Sequence, residues 1–402
     1  MTEYTTLFEQ TSARFEVPDL PLEGVLRRRD RKRRNQRIAA GAVGLAIAIA
    51  SMVVGSALLR SAREPQPADW PLPRITATLI VKPGEVLTRP LDRESLVATD
   101  TSTGAERTIV RCRSDCAAIQ DGFDGSADGG WVAYEVLTCG GDCAPVEPEA
   151  GLWIAGANGP PRHVSTGSWV NTWSWSPSGA QLAYANGSEL ILLDPITWEP
   201  TRIATAKGSI GAIGWGPDGR SIAYSVEPPS DVTQPAGSLG IFVLRSGEEP
   251  QRVSATLGTY GIAWSPDGTS LLLDSDDEVR NWMAVVEADG SGERVLVQGP
   301  SFEGPGMPVW SPDSRSIAYL RTPGKSGHYE LEFWVVRLDG RDRVRIGRFG
   351  CCPDPWDGPV WSPDSQLVAF SGDATRWFVA RADGVGFPKA IGRLTIERWR
   401  QE

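Results

Sequence analysis

Histidine is almost missing from this 402-residue chain, which has only His163 and His328. That scarcity leaves little material for imidazole metal centres or for a histidine general base. No Gly-x-Ser-x-Gly elbow occurs, so a serine nucleophile of the hydrolase kind has no frame. "GKS" at 324–326 has Tyr319 where a phosphate loop needs its first glycine. A net positive charge is lacking too. The formal net charge is −10, and beyond residue 60 thirty Lys/Arg face forty-four Asp/Glu. Such a surface repels phosphates, so nucleic acid is not an expected partner. "DSDDE" at 274–278 lacks the glycine-containing pattern of a calcium loop and reads as a solvated acidic turn. No metal or cofactor is expected.

What the first sixty residues do have is one long uncharged run. Residues 38–59 carry no charge over 22 positions. As a helix this run is roughly 33 Å long, enough for a hydrocarbon core of roughly 30 Å. "RRRDRKRRNQR" at 27–37 precedes it, which places the N-terminus in the cytoplasm and offers contacts to anionic lipid headgroups. A cleaved signal peptide would be shorter and would end on small residues, so a retained anchor is the reading. The expected order is a basic cytoplasmic tail at 1–37, a transmembrane helix at 38–59, a Pro-rich linker at 60–72 and a folded domain at 73–402. The localisation that follows is the cell membrane, single-pass, with the folded domain outside the cytoplasm. All six cysteines, Cys112, Cys116, Cys139, Cys143, Cys351 and Cys352, then lie in an oxidising compartment. They are disulfide candidates rather than a four-thiolate zinc site, and their pairing stays open.

The folded domain is built on a repeat. "PVWSPDSRSIAYL" at 308–320 returns as "PVWSPDSQLVAFS" at 359–371. Trp175, Trp215 and Trp264 open further copies, and "GSADGGWVAY" is a decayed one with Gly125 in the Trp place and Ala127 in the Pro place. The spacings are 50, 40, 49, 46 and 51 residues, the period of a propeller blade. Within each copy Pro presets φ, Asp suits the next turn position and Gly closes it, so each copy is a tight turn between two strands. Two more strands follow, as in 189–205 and 282–297, with "ADG", "LDG" and "ADG" at 288, 338 and 382 as hairpin turns.

Trp-Ser-Pro-Asp-Gly followed by Ile-Ala-Tyr resembles the TolB-type repeat, a relative of the WD-repeat propellers, over roughly 73–402. The resemblance implies an all-β propeller of four-stranded blades and a bacterial envelope context with protein partners. Seven blades are favoured over six. "ATLIVK", "ESLVATD" and "ERTIVRC" supply strands of the first blade, and "RLTIERW" at 393–399 could complete it.

Strand alternation puts the A–B and C–D turns at one end of such a ring and the B–C and D–A loops at the other. The long segments, 138–151, 226–238, 298–308, 321–330 and 350–358, all fall at the second end, as do the cysteines. That end is the expected contact surface. Phe302, Glu303, His328, Tyr329, Trp356 and Asp357 are its candidate contact residues, while the repeated Trp, Pro and Asp are scaffold. The functional reading is a binding module for an envelope protein or for a glycan or peptide ligand. One rival is an extracytoplasmic hydrolase or lyase using paired carboxylates. The other is a transmembrane sensor that signals through residues 1–37.

Overall fold

The computed structural model describes residues 80–391 apart from 83–84, 89–94, 101–102, 104, 112–116, 139–149, 166–171, 229–236, 277–278, 301–303, 324–329, 341, 351–357 and 374–375. The predicted tail, membrane helix and linker, and the strand expected at 393–399, lie outside the described residues.

Every regular element among the described residues is a β-strand, and the strands form seven antiparallel sheets. Blade 1 has three: β1 (Glu85–Thr88), β2 (Ser95–Asp100) and β3 (Glu106–Arg111). Blade 2 has β4 (Ala117–Gly125), β5 (Trp131–Thr138), β6 (Gly151–Gly156) and β7 (Arg162–Ser165). Blade 3 has β8 (Trp173–Trp175), β9 (Leu182–Asn186), β10 (Glu189–Asp194) and β11 (Glu199–Thr205). Blade 4 has β12 (Ser209–Trp215), β13 (Ser221–Glu227), β14 (Gly240–Arg245) and β15 (Gln251–Ser254). Blade 5 has β16 (Thr259–Trp264), β17 (Ser270–Asp276), β18 (Arg280–Glu287) and β19 (Glu293–Pro300). Blade 6 has β20 (Pro305–Trp310), β21 (Ser316–Arg321), β22 (Glu330–Arg337) and β23 (Arg343–Gly350). Blade 7 has β24 (Val360–Trp361), β25 (Leu367–Asp373), β26 (Arg376–Arg381) and β27 (Lys389–Ile391).

One strand differs from expectation. Of "ATLIVK", residues 80–82 are described, and they form a bend rather than a strand. The amides of Ile80 and Val81 both donate to Gly129 O in blade 2, at 2.8 and 3.0 Å, so they are not available for a sheet ladder. The first described strand is β1, beyond a turn closed by Glu85 N on Lys82 O.

The hydrophobic core is divided among the seams between blades. Six clusters each join one blade to the next, and the second strand of a blade serves both of its seams by alternation. In β17, Leu271 and Leu273 pack towards blade 4, while Leu272 packs towards blade 6. In β13, Ile222, Tyr224 and Val226 face blade 3 and Ala223 faces blade 5. These strands are buried on both faces, which is why "SIAYSV" and "SLLLDS" do not read as alternating sequences.

Four of the five repeated tryptophans bridge the seams with their indole N–H groups. Trp175 Nε1 donates to Asp124 O at 3.3 Å and Trp264 Nε1 to Gly214 O at 3.0 Å. Trp310 Nε1 donates to Ala263 O and Trp361 Nε1 to Val309 O, both at 3.1 Å. Each acceptor is the carbonyl just before the Trp position of the preceding blade. Asp124 fits that rule because Gly125 occupies the Trp position in blade 2, as its sequence suggested.

The turns follow one pattern. The serine after Trp accepts the amide five residues on, as in Ser270 N to Ser265 Oγ at 3.0 Å and Ser316 N to Ser311 Oγ at 2.9 Å. The same hydroxyl donates to the turn aspartate, at 2.6 Å for Ser265 to Asp267, Ser311 to Asp313 and Ser362 to Asp364. The aspartate in turn accepts a backbone amide, Thr269 N on Asp267 at 3.0 Å. The closing position is left-handed, filled by Gly268 (φ 73°) or by serine at Ser314 (φ 60°) and Ser365 (φ 59°). Both serines recover something for that strain. Ser314 Oγ accepts Asp267 N at 3.0 Å and Ser365 Oγ accepts Asp313 N at 3.1 Å, each across a seam.

Removing the Asp267 carboxylate strands the Ser265 hydroxyl and the Thr269 amide. Asp267→Ala should lower the apparent Tm by several degrees, consistent with a loss on the order of 1–2 kcal/mol. It should leave partner binding at the opposite end unchanged. Unchanged melting with lost binding would show that this turn is a contact surface.

Candidate functional site

The two ends of the propeller differ in how the chain turns. At one end, the gap from Gly125 to Trp131 and its five counterparts span five or six residues, and the third-to-fourth-strand turns span four to seven. At the other end, the second-to-third-strand connections run from two residues, between Asn186 and Glu189, to twelve, between Thr138 and Gly151 or Glu227 and Gly240. This is the loop end expected from the sequence. The contact candidates Phe302, Glu303, His328, Tyr329, Trp356 and Asp357, and all six cysteines, lie outside the described residues. His163 is on the outer strand β7, where its ring meets Trp153 at 5.1 Å and its Nε2 lies 3.3 Å from Ala150 O.

The described part of the loop end carries a rung of polar groups that sequence reading missed. One position in the second strand, just after Tyr134, Tyr224, Leu273 or Phe370, is Glu135, Ser225, Asp274 or Ser371 in blades 2, 4, 5 and 7. All four are buried. Three of them reach the first strand of the next blade. Glu135 Oε1 accepts the Trp173 indole N–H at 3.2 Å, and Ser225 donates to Thr259 O at 3.4 Å. Asp274 accepts the Met307 amide. Glu227 adds a clamp beside this rung, with its carboxylate accepting Gly258 N at 3.1 Å and Thr259 N at 3.3 Å.

Asp274 corrects an expectation. It is no solvated turn residue but part of β17, 8 % exposed, with Ser275 beside it fully buried. "DSD" continues the strand because Gly261, Thr259 and the facing β18 extend the ladder as far as Asp276. The Tyr260 hydroxyl also bonds the Asp274 carboxyl, while its Oδ1 finds no partner among the described residues.

Burial raises two of these acids. Desolvation pushes Glu135 up to about 7, opposed only by the Trp173 hydrogen bond. Desolvation also pushes Asp274 up to about 7, with the charge of Asp276 adding to the effect against the Tyr260 and Met307 hydrogen bonds. Tyr260 is itself raised, by desolvation and then by the Asp274 charge. By contrast Glu332, also buried, has the Arg345 guanidinium at 2.7 Å and the Trp334 indole at 3.1 Å.

The opposite end has open clefts between blades. A crevice of about 540 Å³ is lined by Asp313, Arg315, Arg337, Asp342 and Arg343, charges of both signs. A smaller one of about 360 Å³ lies beside Asp218, Arg245 and Asp267. Their walls are the turn residues that hold adjacent blades together. Among the described residues no group of three or more His, Cys, Asp or Glu is placed to hold a metal ion.

The fold defines the class, a seven-bladed β-propeller. Its repeats are similar to those of TolB, and the chain matches curated TolB proteins in part. The Tol-Pal system protein TolB of Zymomonas mobilis is 43 % identical over 83 residues, 20 % of this chain and 16 % of that protein. TolB of Anaeromyxobacter sp. strain K is 34 % identical over 120 residues, 29 % of this chain and 25 % of that one. The chain thus matches a quarter or less of the length of these relatives. No protein-family model matches it. Among solved structures, an oligogalacturonate lyase in complex with manganese superposes with a TM-score of 0.52 at 13 % identity, covering 79 % of this chain and 86 % of that one. That likeness is one of fold.

The raised acids fix the sign of a pH dependence. A carboxyl whose pKa is higher folded than unfolded binds its proton more tightly in the folded state. Its stabilising effect is therefore complete below about pH 4 and is lost as the pH rises through about 7. Apparent Tm should fall between about pH 5 and pH 8, and Glu135→Gln and Asp274→Asn should each flatten part of that fall. A variant with the wild-type slope would mean its carboxyl is not titrating there.

Proposed function

We propose that this chain is a single-pass membrane protein that presents a TolB-like propeller outside the cytoplasm as a binding module. Residues 38–59 form the anchor, residues 27–37 hold the N-terminus on the cytoplasmic side, and the loop end of the propeller meets an envelope protein. The observation that carries the binding role is the division of labour between the two ends. Four of the five repeat tryptophans and the described turn Ser and Asp side chains are bound up in seam and turn hydrogen bonds, while chain length varies most at the loop end. Variable loops on a rigid frame are where recognition is usually built. The named relatives, as Tol-Pal system proteins, support a protein partner over a small molecule.

A second reading has one observation behind it. Glu135 and Asp274 hold carboxyls near 7, the range of a general acid or base at neutral pH. Both are placed to bridge blades, which favours a structural role, and a glycan lyase or hydrolase remains the rival for the binding module.

Two measurements test the reading. A phosphatase reporter joined after residue 402 should be active outside the cytoplasm, and a cytosolic signal would reverse the topology. Photo-crosslinkers placed within 321–330 and 350–358 should capture one discrete envelope protein, while the same groups at Asp218 or Asp339 should capture none. Equal capture from both ends would remove the loop end from the argument.

A further inference from the structure

Among the described residues, blade 5 carries two buried acceptor oxygens with no donor against them, and both belong to one face. Neither Asp274 Oδ1 nor Asn281 Oδ1 has a hydrogen-bond partner among the described residues. In the β17–β18 ladder Asp276 lies opposite Asn281 and Asp274 opposite Met283, with no register shift between them. Residues directly opposite share a face, and so do alternate residues of one strand. Asp274, Asp276 and Asn281 therefore point to the same side. That side is the seam with blade 6, since Asp274 takes the Met307 amide and Gly304 lies against Asn281. The rim is open. Tyr260 is 39 % exposed and Val279 70 % exposed.

A buried acceptor without a donor costs about 1–3 kcal/mol, and more when it is charged, so this seam is poised for a group that brings both protons and positive charge. We infer that the Tyr260–Asp274–Asn281 seam between blades 5 and 6 is a binding site for a primary ammonium group, the lysine side chain of a protein partner. This rests on the binding-module reading and names the chemistry of one contact.

Three features select an ammonium. Asp274 offers one free oxygen, because Tyr260 and Met307 are served by the other, so the two-pronged grip that a guanidinium prefers is not available. A calcium ion takes six to eight oxygens, and no described group of three or more acidic, His or Cys residues converges here. An ammonium needs about three acceptors, and Asp274 Oδ1 and Asn281 Oδ1 supply two, with the Asp276 charge beside them. The Tyr260 ring offers an apolar wall for the lysine stem. The net charge of −10 draws cationic segments to the chain.

The test uses the full chain in detergent and calorimetric titration with Nα-acetyl-lysine methylamide. Saturable binding is expected, at least tenfold weaker in Asp274→Asn and in Asn281→Leu, each checked by its melting curve. Nα-acetyl-norleucine methylamide, which lacks the ammonium, should not bind. The inference is overturned by equal binding of the norleucine compound, by unchanged affinity in both variants, by no saturable binding, or by calcium chloride binding at this seam in place of the amine. Should one variant fail to fold, the other decides. Loss of lysine binding with intact crosslinking from 321–330 and 350–358 would end this inference and leave the binding module standing.

Discussion

The hydrogen bond from a tryptophan indole to a backbone carbonyl of the preceding blade is the contact on which the rest of this propeller depends. It recurs at Trp175, Trp264, Trp310 and Trp361, always to the residue just before the equivalent position. Each bond places the first strand of one blade at a fixed height against the first strand of its neighbour. The large ring also packs in one cluster with a residue of the preceding blade's second strand, Trp310 with Leu272 and Trp175 with Ala133. Shape and hydrogen bonding thus specify the same angle between blades. An inter-blade seam set only by apolar contact could slide, whereas a donor and an acceptor at 3.0–3.3 Å cannot slide far without both being lost.

Because seam and turn take up the repeated side chains, the two ends of the propeller are held to different standards. At the turn end every hydroxyl and carboxylate of the Ser-Pro-Asp units has a local task, and a change in chain length would break the closure of the turn. At the loop end the strands need only finish, so two residues serve between Asn186 and Glu189 and twelve between Thr138 and Gly151. The polar rung lies just inside this tolerant end. Ser225 and Glu135 tie adjacent blades there, and Asp274 does the same with one oxygen to spare. Structure and recognition meet at that rung, since the residue that closes the seam also faces the rim.

Much of the architecture was legible beforehand. The Trp-to-Trp period gave the blade, Gly125 was recognised as a Trp position without its Trp, and the tight-turn chemistry of Pro-Asp-Gly matched the observed serine, aspartate and left-handed glycine. The misplaced first strand had a physical cause. "ATLIVK" is apolar enough for a strand, yet the amides of Ile80 and Val81 are claimed by Gly129 O of another blade, a long-range pairing that no local pattern contains. "DSDDE" was read as a solvated turn because four carboxylates in five residues ordinarily seek water.

What the sequence determined by itself is the repeat. Hydrophobic runs and turn residues are local, and a period near 47 residues can be counted along the chain. What only the tertiary structure decided is which side of each strand meets which neighbour. Register places Asp274 beside Leu272 on the blade 6 face and buries it, while Glu332, on the third strand of blade 6, meets an arginine. Glu332 is paired with the Arg345 guanidinium, whereas burial raises Asp274 against hydrogen bonds from Tyr260 and Met307. That difference arises between strands that are distant in sequence, where the order of residues along the chain carries no distances.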